Sequence, residues 1–309
     1  MTDEMPVASN LDVAFHINVL RPTVDPGTLP AALDAIVAAG YSRVVLPPMD
    51  PAATDAATLR RILAERGIAP IAMGGGQGGA ADVSSPDPDV RAAGAARLRG
   101  AVDLAIALGS DQLNGVPYGP FGPSTRATPR DAVERSALEV GRVADYAHER
   151  GVAMTFEVLN RYETSMLNTA AQAVEYVALS GSDHLRIHLD TFHMAIEEAD
   201  MSEAIRLALP KLGYLELGQS GRGLLSTGAV DIPAVVSAAL DDGYEGRWGV
   251  EAFSRSVLSE PGADMLAIWR APYDDGAELA IDAMRVIQRG WSMSTVGRRA
   301  QRLSRSAAI

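Results

Sequence analysis

Eight short apolar runs recur along the chain, and each is followed by a longer segment of mixed polarity. The runs are rich in β-branched and other apolar residues, which predicts strands. The predicted strands cover residues 13–20, 43–48, 69–75, 111–118, 152–159, 185–192, 214–220 and 247–253. The segments between them repeat apolar residues at three- and four-residue spacing, which indicates amphipathic helices. Eight alternating units in about 250 residues favour a closed (β/α)8 TIM barrel over an open doubly wound sheet.

Glycines stand at or near the start of most predicted strands, where the preceding helix is expected to end in the left-handed conformation. These helix-ending glycines are Gly40, Gly67, Gly109, Gly151, Gly181, Gly213 and Gly243. The barrel is predicted to fill about residues 13–291 as a single domain, with a basic tail at 292–309. We expect this tail to be a frayed terminus, with a partner contact as the alternative.

Composition narrows the range of partners. The 309 residues are 47% hydrophobic, which is enough to bury a large core. A net charge of −12 disfavours nucleic acids and anionic membranes, because both require a basic footprint on the protein. The absence of cysteine excludes disulfides, thiolate metal sites and a cysteine nucleophile. Residues 1–10 carry no secretion signal and no apolar run is long enough for a membrane span, so we expect a cytoplasmic enzyme.

Four consecutive predicted strands carry an acidic residue late in an otherwise apolar run: Glu157, Asp190, Glu216 and Glu251. The carboxyl ends of barrel strands form the active-site face, so these acids should surround one mouth. Each acid alone is equally well explained as a helix cap or an arginine partner. Together they would repel one another, and a bound divalent cation offsets both the repulsion and the desolvation cost. We therefore predict four metal ligands, with Mn²⁺ as the first choice and Mg²⁺ or Co²⁺ as alternatives.

Several motifs carry a family resemblance. They are "EVLNRYET" with "NTA" after it, "HLDTFHMAIEE", "GQSGRG" followed by "TG", and "GVEAF". With the segment 82–123, they resemble the D-tagatose 3-epimerase and D-psicose (allulose) 3-epimerase group of the sugar phosphate isomerase/epimerase superfamily, the xylose isomerase-like barrels. The resemblance covers roughly residues 13–290.

The resemblance implies roles for individual residues. Glu157, Asp190 and Glu251 fall on metal ligands of the group, and Glu157 and Glu251 fall on its acid/base pair. Glu163, His193 and Arg222 match residues that contact the sugar's oxygens. The implied reaction is removal and return of the C3 proton of an unphosphorylated ketose through a cis-enediolate, and the implied assembly is a homodimer or homotetramer.

One ligand position departs from the group's pattern. The group has a histidine on strand seven, six residues before the arginine, and this chain has Glu216 there. Strand alternation places His188 inside the barrel, where it is either a core residue or a substitute ligand. His16 on strand one is either structural or part of the mouth. The substitution favours a harder cation and leaves less positive charge to stabilise an enediolate.

The same residues are compatible with two other functions. The same enolisation could expel a substituent, which would make the protein a lyase or deglycosidase of 3-keto-glycosides. A barrel without catalytic activity could instead only bind a sugar.

Overall fold

Eight parallel strands form the centre of the computed structural model, which describes residues 10–307. Residues 1–9, where the sequence predicts no secretion signal, lie outside the described residues, as do residues 308 and 309 of the tail. The strands are β1 (Val13–His16), β2 (Arg43–Val45), β3 (Ala69–Gly74), β4 (Gln112–Gly115), β5 (Ala153–Glu157), β6 (Leu185–Asp190), β7 (Leu212–Gly218) and β8 (Arg247–Glu251). Each overlaps a predicted strand, although β7 begins two residues before its predicted start.

The sheet closes on itself in sequence order, because β1 pairs with both β2 and β8. All eight pairings are parallel. The prediction of a single-domain (β/α)8 barrel is confirmed.

Helices surround the barrel and connect successive strands. They are α1 (Leu29–Ala38), α2 (Ala56–Ala64), α3 (Pro88–Leu108), α4 (Arg130–His148), α5 (Ala170–Ser180), α6 (Thr191–Glu197), α7 (Met201–Ala208), α8 (Ile232–Asp241), α9 (Glu260–Met265), α10 (Gly276–Met293) and α11 (Thr295–Ala307). Two short 3₁₀ turns lie at Ile17–Val19 and Leu209–Lys211. Within residues 10–307, no helix is both long enough and apolar enough to cross a membrane.

Strand alternation divides the barrel into an outer core and an interior. Phe15, Phe156 and Trp248 point outward and pack in the buried layer beneath the helices. The alternate positions point inward, where Ala14 and Tyr214 belong to a small separate apolar cluster. The active-site face lies beyond this cluster, at the carboxyl ends of the strands.

An ion-pair ring closes the opposite end of the barrel. Arg43 contacts Asp12 at 2.7 Å and Asp111 at 3.0 Å. Arg247 contacts the same two acids, at 3.2 Å and 2.5 Å. These four residues, called here the basal ring, tie together β2, β8 and the entrances to β1 and β4.

Two expectations were wrong. Gly213 does not end a helix, since it lies within β7, and a Cβ there would stand 2.8 Å from the Cβ of Arg186. It is therefore a close-approach position between β6 and β7. The tail is not frayed over 295–307 but forms α11. Ser294 caps this helix, because its Oγ accepts a hydrogen bond from the Gly297 amide at 3.1 Å.

Candidate active site

The four strand-end acids meet inside the mouth of the barrel. Glu157, Asp190, Glu216 and Glu251 are all buried, and each offers an oxygen within 4.8 Å of those of the other three. Cross-strand register explains the meeting, because Asp190 pairs with Glu216 and Gly218 pairs with Glu251. The sequence prediction of a shared mouth therefore corresponds to a compact group of carboxylates.

Arg222 is the cation nearest to this group. Its Nη1 lies 3.1 Å from Oδ2 of Asp190 and 2.5 Å from Oε2 of Glu251. Its guanidinium also stacks on the ring of Phe192, 3.6 Å from the ring centroid. The backbone of Arg222 adopts a φ of 55°, which is uncommon for a residue with a side chain. The surrounding packing holds Arg222 in this conformation, as is found at functional sites.

His193 is held in one orientation beside Glu157. Its Nδ1 accepts a hydrogen bond from the backbone amide of Asn160 at 3.1 Å, so the ring proton belongs on Nε2. That nitrogen lies 3.3 Å from Oε1 of Glu157. Burial lowers the pKa of His193 to about 4, which keeps the ring neutral. Asn160 also donates from Nδ2 to Glu163 at 2.8 Å, so it links two of the residues predicted to bind substrate.

Glu216 lies between two imidazoles. Its Oε1 is 2.8 Å from Nε2 of His16, and its Oε2 is 3.1 Å from Nε2 of His188. His16 also approaches Glu251, with Nδ1 at 3.4 Å from Oε1. Both histidines are buried inside the barrel beside these acids, as strand alternation predicts for His188.

Burial and neighbouring charges shift the pKa values of the four acids in different directions. Burial raises the pKa of Asp190 and that of Glu251 to about 7, although Arg222 opposes the shift in both. Burial also raises the pKa of Glu157. For Glu216 the two neighbouring histidines outweigh burial and hold the pKa well below its ordinary value. Burial alone would lower the pKa of His16, but Glu216 and Glu251 raise it to about 9.

The donor set fits a divalent cation. Four buried carboxylates, when ionised, outnumber the neighbouring cations Arg222 and protonated His16, and a dication would offset the excess negative charge. Three histidines lie close enough to add nitrogen donors to subsets of these acids: His16, His188 and His193. The geometry therefore offers a possible metal site made mainly of oxygen ligands.

A cavity of about 370 Å³ opens above the acids. Phe121, Phe192 and Phe253 supply apolar walls, and Glu163 and Arg222 supply polar groups. Because Arg222 also contacts two of the acids, the cavity ends beside the carboxylate group. Its size suits a small molecule that presents both hydroxyl groups and apolar carbon.

A family model described as "Xylose isomerase-like TIM barrel" matches residues 33–288. This match covers most of the chain. The chain belongs to this family. The resemblance inferred from the sequence motifs is thereby confirmed.

Relatives within the family are sugar epimerases. The L-ribulose 3-epimerase of Mesorhizobium japonicum is 37% identical over 86% of this chain and 89% of its own length. The ketose 3-epimerase of Arthrobacter globiformis is 40% identical over 81% of this chain and 86% of its own length. The structure of a D-allulose 3-epimerase from Methylomonas sp. in complex with D-allulose has a TM-score of 0.86 and is 32% identical. That comparison covers 92% of this chain and 99% of the Methylomonas chain.

The structure brings together every residue singled out from the sequence. Glu163, His193 and Arg222 border the acids or the cavity. Sequence reasoning missed Asn160, although it stands inside the quoted "EVLN" motif three residues after Glu157. A polar residue so close to a strand-end acid is the signal that could have identified it.

Proposed function

We propose that the protein is a metal-dependent ketose 3-epimerase that acts on unphosphorylated sugars. One observation carries the proposal: Glu157 and Glu251 stand on β5 and β8, strands on different sides of the barrel, yet their carboxylates approach within 4.8 Å. Two carboxylates in this arrangement can each contact a different face of one small substrate. The epimerase relatives support the same reaction class.

The divalent cation would be held by Glu157, Asp190, Glu216 and Glu251, and it would supply Lewis-acid polarisation of the ketose carbonyl. We propose Mn²⁺ as the ion, because the donor set is rich in oxygen. Metal analysis of purified protein, followed by reconstitution with Mn²⁺, Mg²⁺ and Co²⁺, tests that choice.

The protein's own groups would move one proton. One carboxylate of the Glu157 and Glu251 pair removes the proton from C3, which leaves a planar cis-enediolate. The other carboxylate returns a proton to the opposite face and inverts C3. Both groups have raised pKa values, which suits a carboxyl that must accept and release a proton near neutral pH.

Neighbouring residues would hold the sugar's oxygens during this exchange. His193 is neutral, and its Nε2 proton faces the site, so it can donate to a substrate oxygen. Arg222 can stabilise developing negative charge, since it is a cation within a buried site. Phe192 and Phe253 wall the cavity and would limit the access of water.

The charge around the cavity supports an unphosphorylated substrate. Arg222 is already paired with Asp190 and Glu251, and Arg270 is the other arginine among the described residues that line the cavity. A phosphate group is ordinarily held by several convergent donors.

A ketose panel under Mn²⁺ tests the function. We expect C3 epimers from D-fructose, D-tagatose or L-ribulose, and loss of activity after chelation. Glu157→Gln and Glu251→Gln should each reduce turnover by at least ~100-fold, since each removes one proton-transferring group. Release of the aglycone from a 3-keto-glucoside without any ketose epimer would instead support the lyase or deglycosidase. Sugar binding without turnover would support a non-catalytic barrel.

Assembly and location are also proposals. We propose a homodimer or homotetramer, which rests on the family resemblance, and we propose a cytoplasmic location. Light scattering on the purified chain measures the assembly, and fractionation of the producing cell measures the location.

A further inference from the structure

The unusual acid Glu216 is enclosed by two histidines that the proposed reaction does not use. Each carboxylate oxygen faces a different imidazole, with His16 at 2.8 Å from Oε1 and His188 at 3.1 Å from Oε2. The two rings come from β1 and β6, so they approach Glu216 from different strands. This arrangement forms a two-sided clamp around one side chain.

The clamp lies in a fully buried part of the barrel. Glu216 and His188 have no exposed surface, and His16 is 3% exposed. Neither oxygen of Glu216 makes a well-aligned hydrogen bond to any described residue, so its two polar contacts are the ion pairs with the imidazoles. Without the histidines, this carboxylate would therefore stand buried with nothing to orient it, which is costly for a charged group.

The neighbouring glycine shows that the space is shaped for the acid. Gly249 lies beside Glu216 across the β7–β8 pairing. A Cβ at Gly249 would stand 2.3 Å from the hydroxyl of Tyr214 and 2.5 Å from Oε1 of Glu216. The absence of a side chain there leaves the room that the tyrosine and the carboxylate share.

We propose that His16 and His188 are positioning residues that fix Glu216 for binding a divalent cation. The inference rests on the proposed function, because it concerns the ion that the reaction needs. A carboxylate has about four lone-pair sites, and two imidazole contacts can occupy no more than two of them, so Glu216 can still ligate. Glutamate also has more rotatable bonds than histidine, and a clamp removes that freedom before the ion arrives.

Mn²⁺ affinity of the full chain, measured by isothermal titration calorimetry, tests the clamp. We expect His16→Ala and His188→Ala each to weaken Mn²⁺ binding by roughly ten- to hundredfold, as removal of an orienting partner does at other metal sites. His16→Gln and His188→Gln keep a donor near the position of Nε2, so they should retain most of the affinity. If an alanine variant does not fold, the His16→Gln and His188→Gln variants carry the test through the ¹⁴N readout described below.

The decisive comparison repeats the same substitutions in a Glu216→His background. The clamped carboxylate is absent in that background. Removing His16 or His188 should then change Mn²⁺ affinity by less than about threefold, whereas the same substitutions with Glu216 present should cause the larger losses. An equal loss in both backgrounds would overturn the proposal. His184→Ala is the matched control, because His184 stacks on His148, outside the site, at a ring separation of 3.6 Å, and its removal should leave affinity unchanged.

Pulsed electron paramagnetic resonance of the Mn²⁺-loaded wild type gives an independent readout. The proposal predicts no strong ¹⁴N coupling from His16 or His188, since both act through Glu216. A directly bound imidazole nitrogen that disappears in His16→Gln or His188→Gln would overturn it. A wild type that binds Mn²⁺ but epimerises no ketose would refute the proposed function and leave the clamp standing, whereas absence of Mn²⁺ binding would refute both.

Discussion

Without a bound metal, the protein should have a lower free energy of unfolding at pH 7 than at pH 5. Burial raises the pKa of Glu251 from 4.5 to about 7, and Asp190 and Glu157 are shifted in the same direction. A carboxyl whose pKa is raised by folding binds its proton more tightly in the folded state. Its contribution to stability is therefore fully present below the unfolded pKa and is lost as the pH approaches the folded value.

The size of the effect follows from the Glu251 shift. Each pH unit over which only the folded state holds the proton is worth ~1.4 kcal/mol. Between pH 5 and pH 7 this carboxyl alone should cost roughly 2 kcal/mol of unfolding free energy. That corresponds to a fall in Tm of roughly 3 °C for a chain of 309 residues, because the entropy of unfolding increases with chain length. His16, whose pKa is raised to about 9, acts in the same direction only above its ordinary value of 6.5. His193, whose pKa is lowered to about 4, acts in the opposite direction between pH 5 and 6.5, and the loss from Asp190, whose pKa is raised to about 7, offsets it.

Thermal unfolding followed by circular dichroism in a chelator, at half-unit steps of pH, measures this loss. Added Mn²⁺ should stabilise the protein more at pH 7 than at pH 5, because the ion competes with the protons. Glu251→Gln is the matched control: it cannot titrate, so its metal-free loss should be smaller by roughly 2 kcal/mol. A metal-free wild type that is equally stable at pH 5 and pH 7 would refute the reasoning.

Three further substitutions test other parts of the account. Arg222→Met removes the arginine paired with Asp190 and Glu251, and kcat/KM for ketose epimerisation should fall by roughly 100-fold. An unchanged value would exclude its proposed role. Gly249→Ala places a methyl group 2.5 Å from an oxygen of Glu216, so urea unfolding should show a loss of about 1–3 kcal/mol, and no loss would mean that the site relaxes freely. Arg247→Met breaks the basal ring at Asp111 and should lower the free energy of unfolding by about 1 kcal/mol in the same assay. KM should not change, and a changed KM would show that the basal ring influences the active-site end of the barrel.

The barrel was predictable because its signals are local. Each strand is a short apolar run, and each connection repeats apolar residues at helical spacing. The strand-end acids could be predicted for the same reason, since Glu157 and Asp190 end their strands and parallel strands bring these ends to one face. Gly213 was wrongly predicted to end a helix, because the sequence does not distinguish a helix-ending glycine from one that allows two strands to approach closely.

The contacts within the site were not predictable, because they depend on register. Alternation places His188 inside the barrel, but its neighbours are set by a shift in the β6–β7 pairing between Ile187 and His188. The positive φ of Arg222 is likewise imposed by packing and has no local sequence signal. The tail was wrongly predicted to fray because its polar, basic composition does not reveal that Ser294 caps a helix there.

Proton exchange at C3 tests the central claim most directly. The metal-loaded protein is incubated with a ketose substrate in D₂O, and the products are followed by nuclear magnetic resonance. Carboxylates that remove a proton and return one from solvent-exchangeable positions should place deuterium at C3 of the epimer. An epimer that forms without deuterium at C3, at every stage of the reaction, would contradict a proton exchange through Glu157 and Glu251.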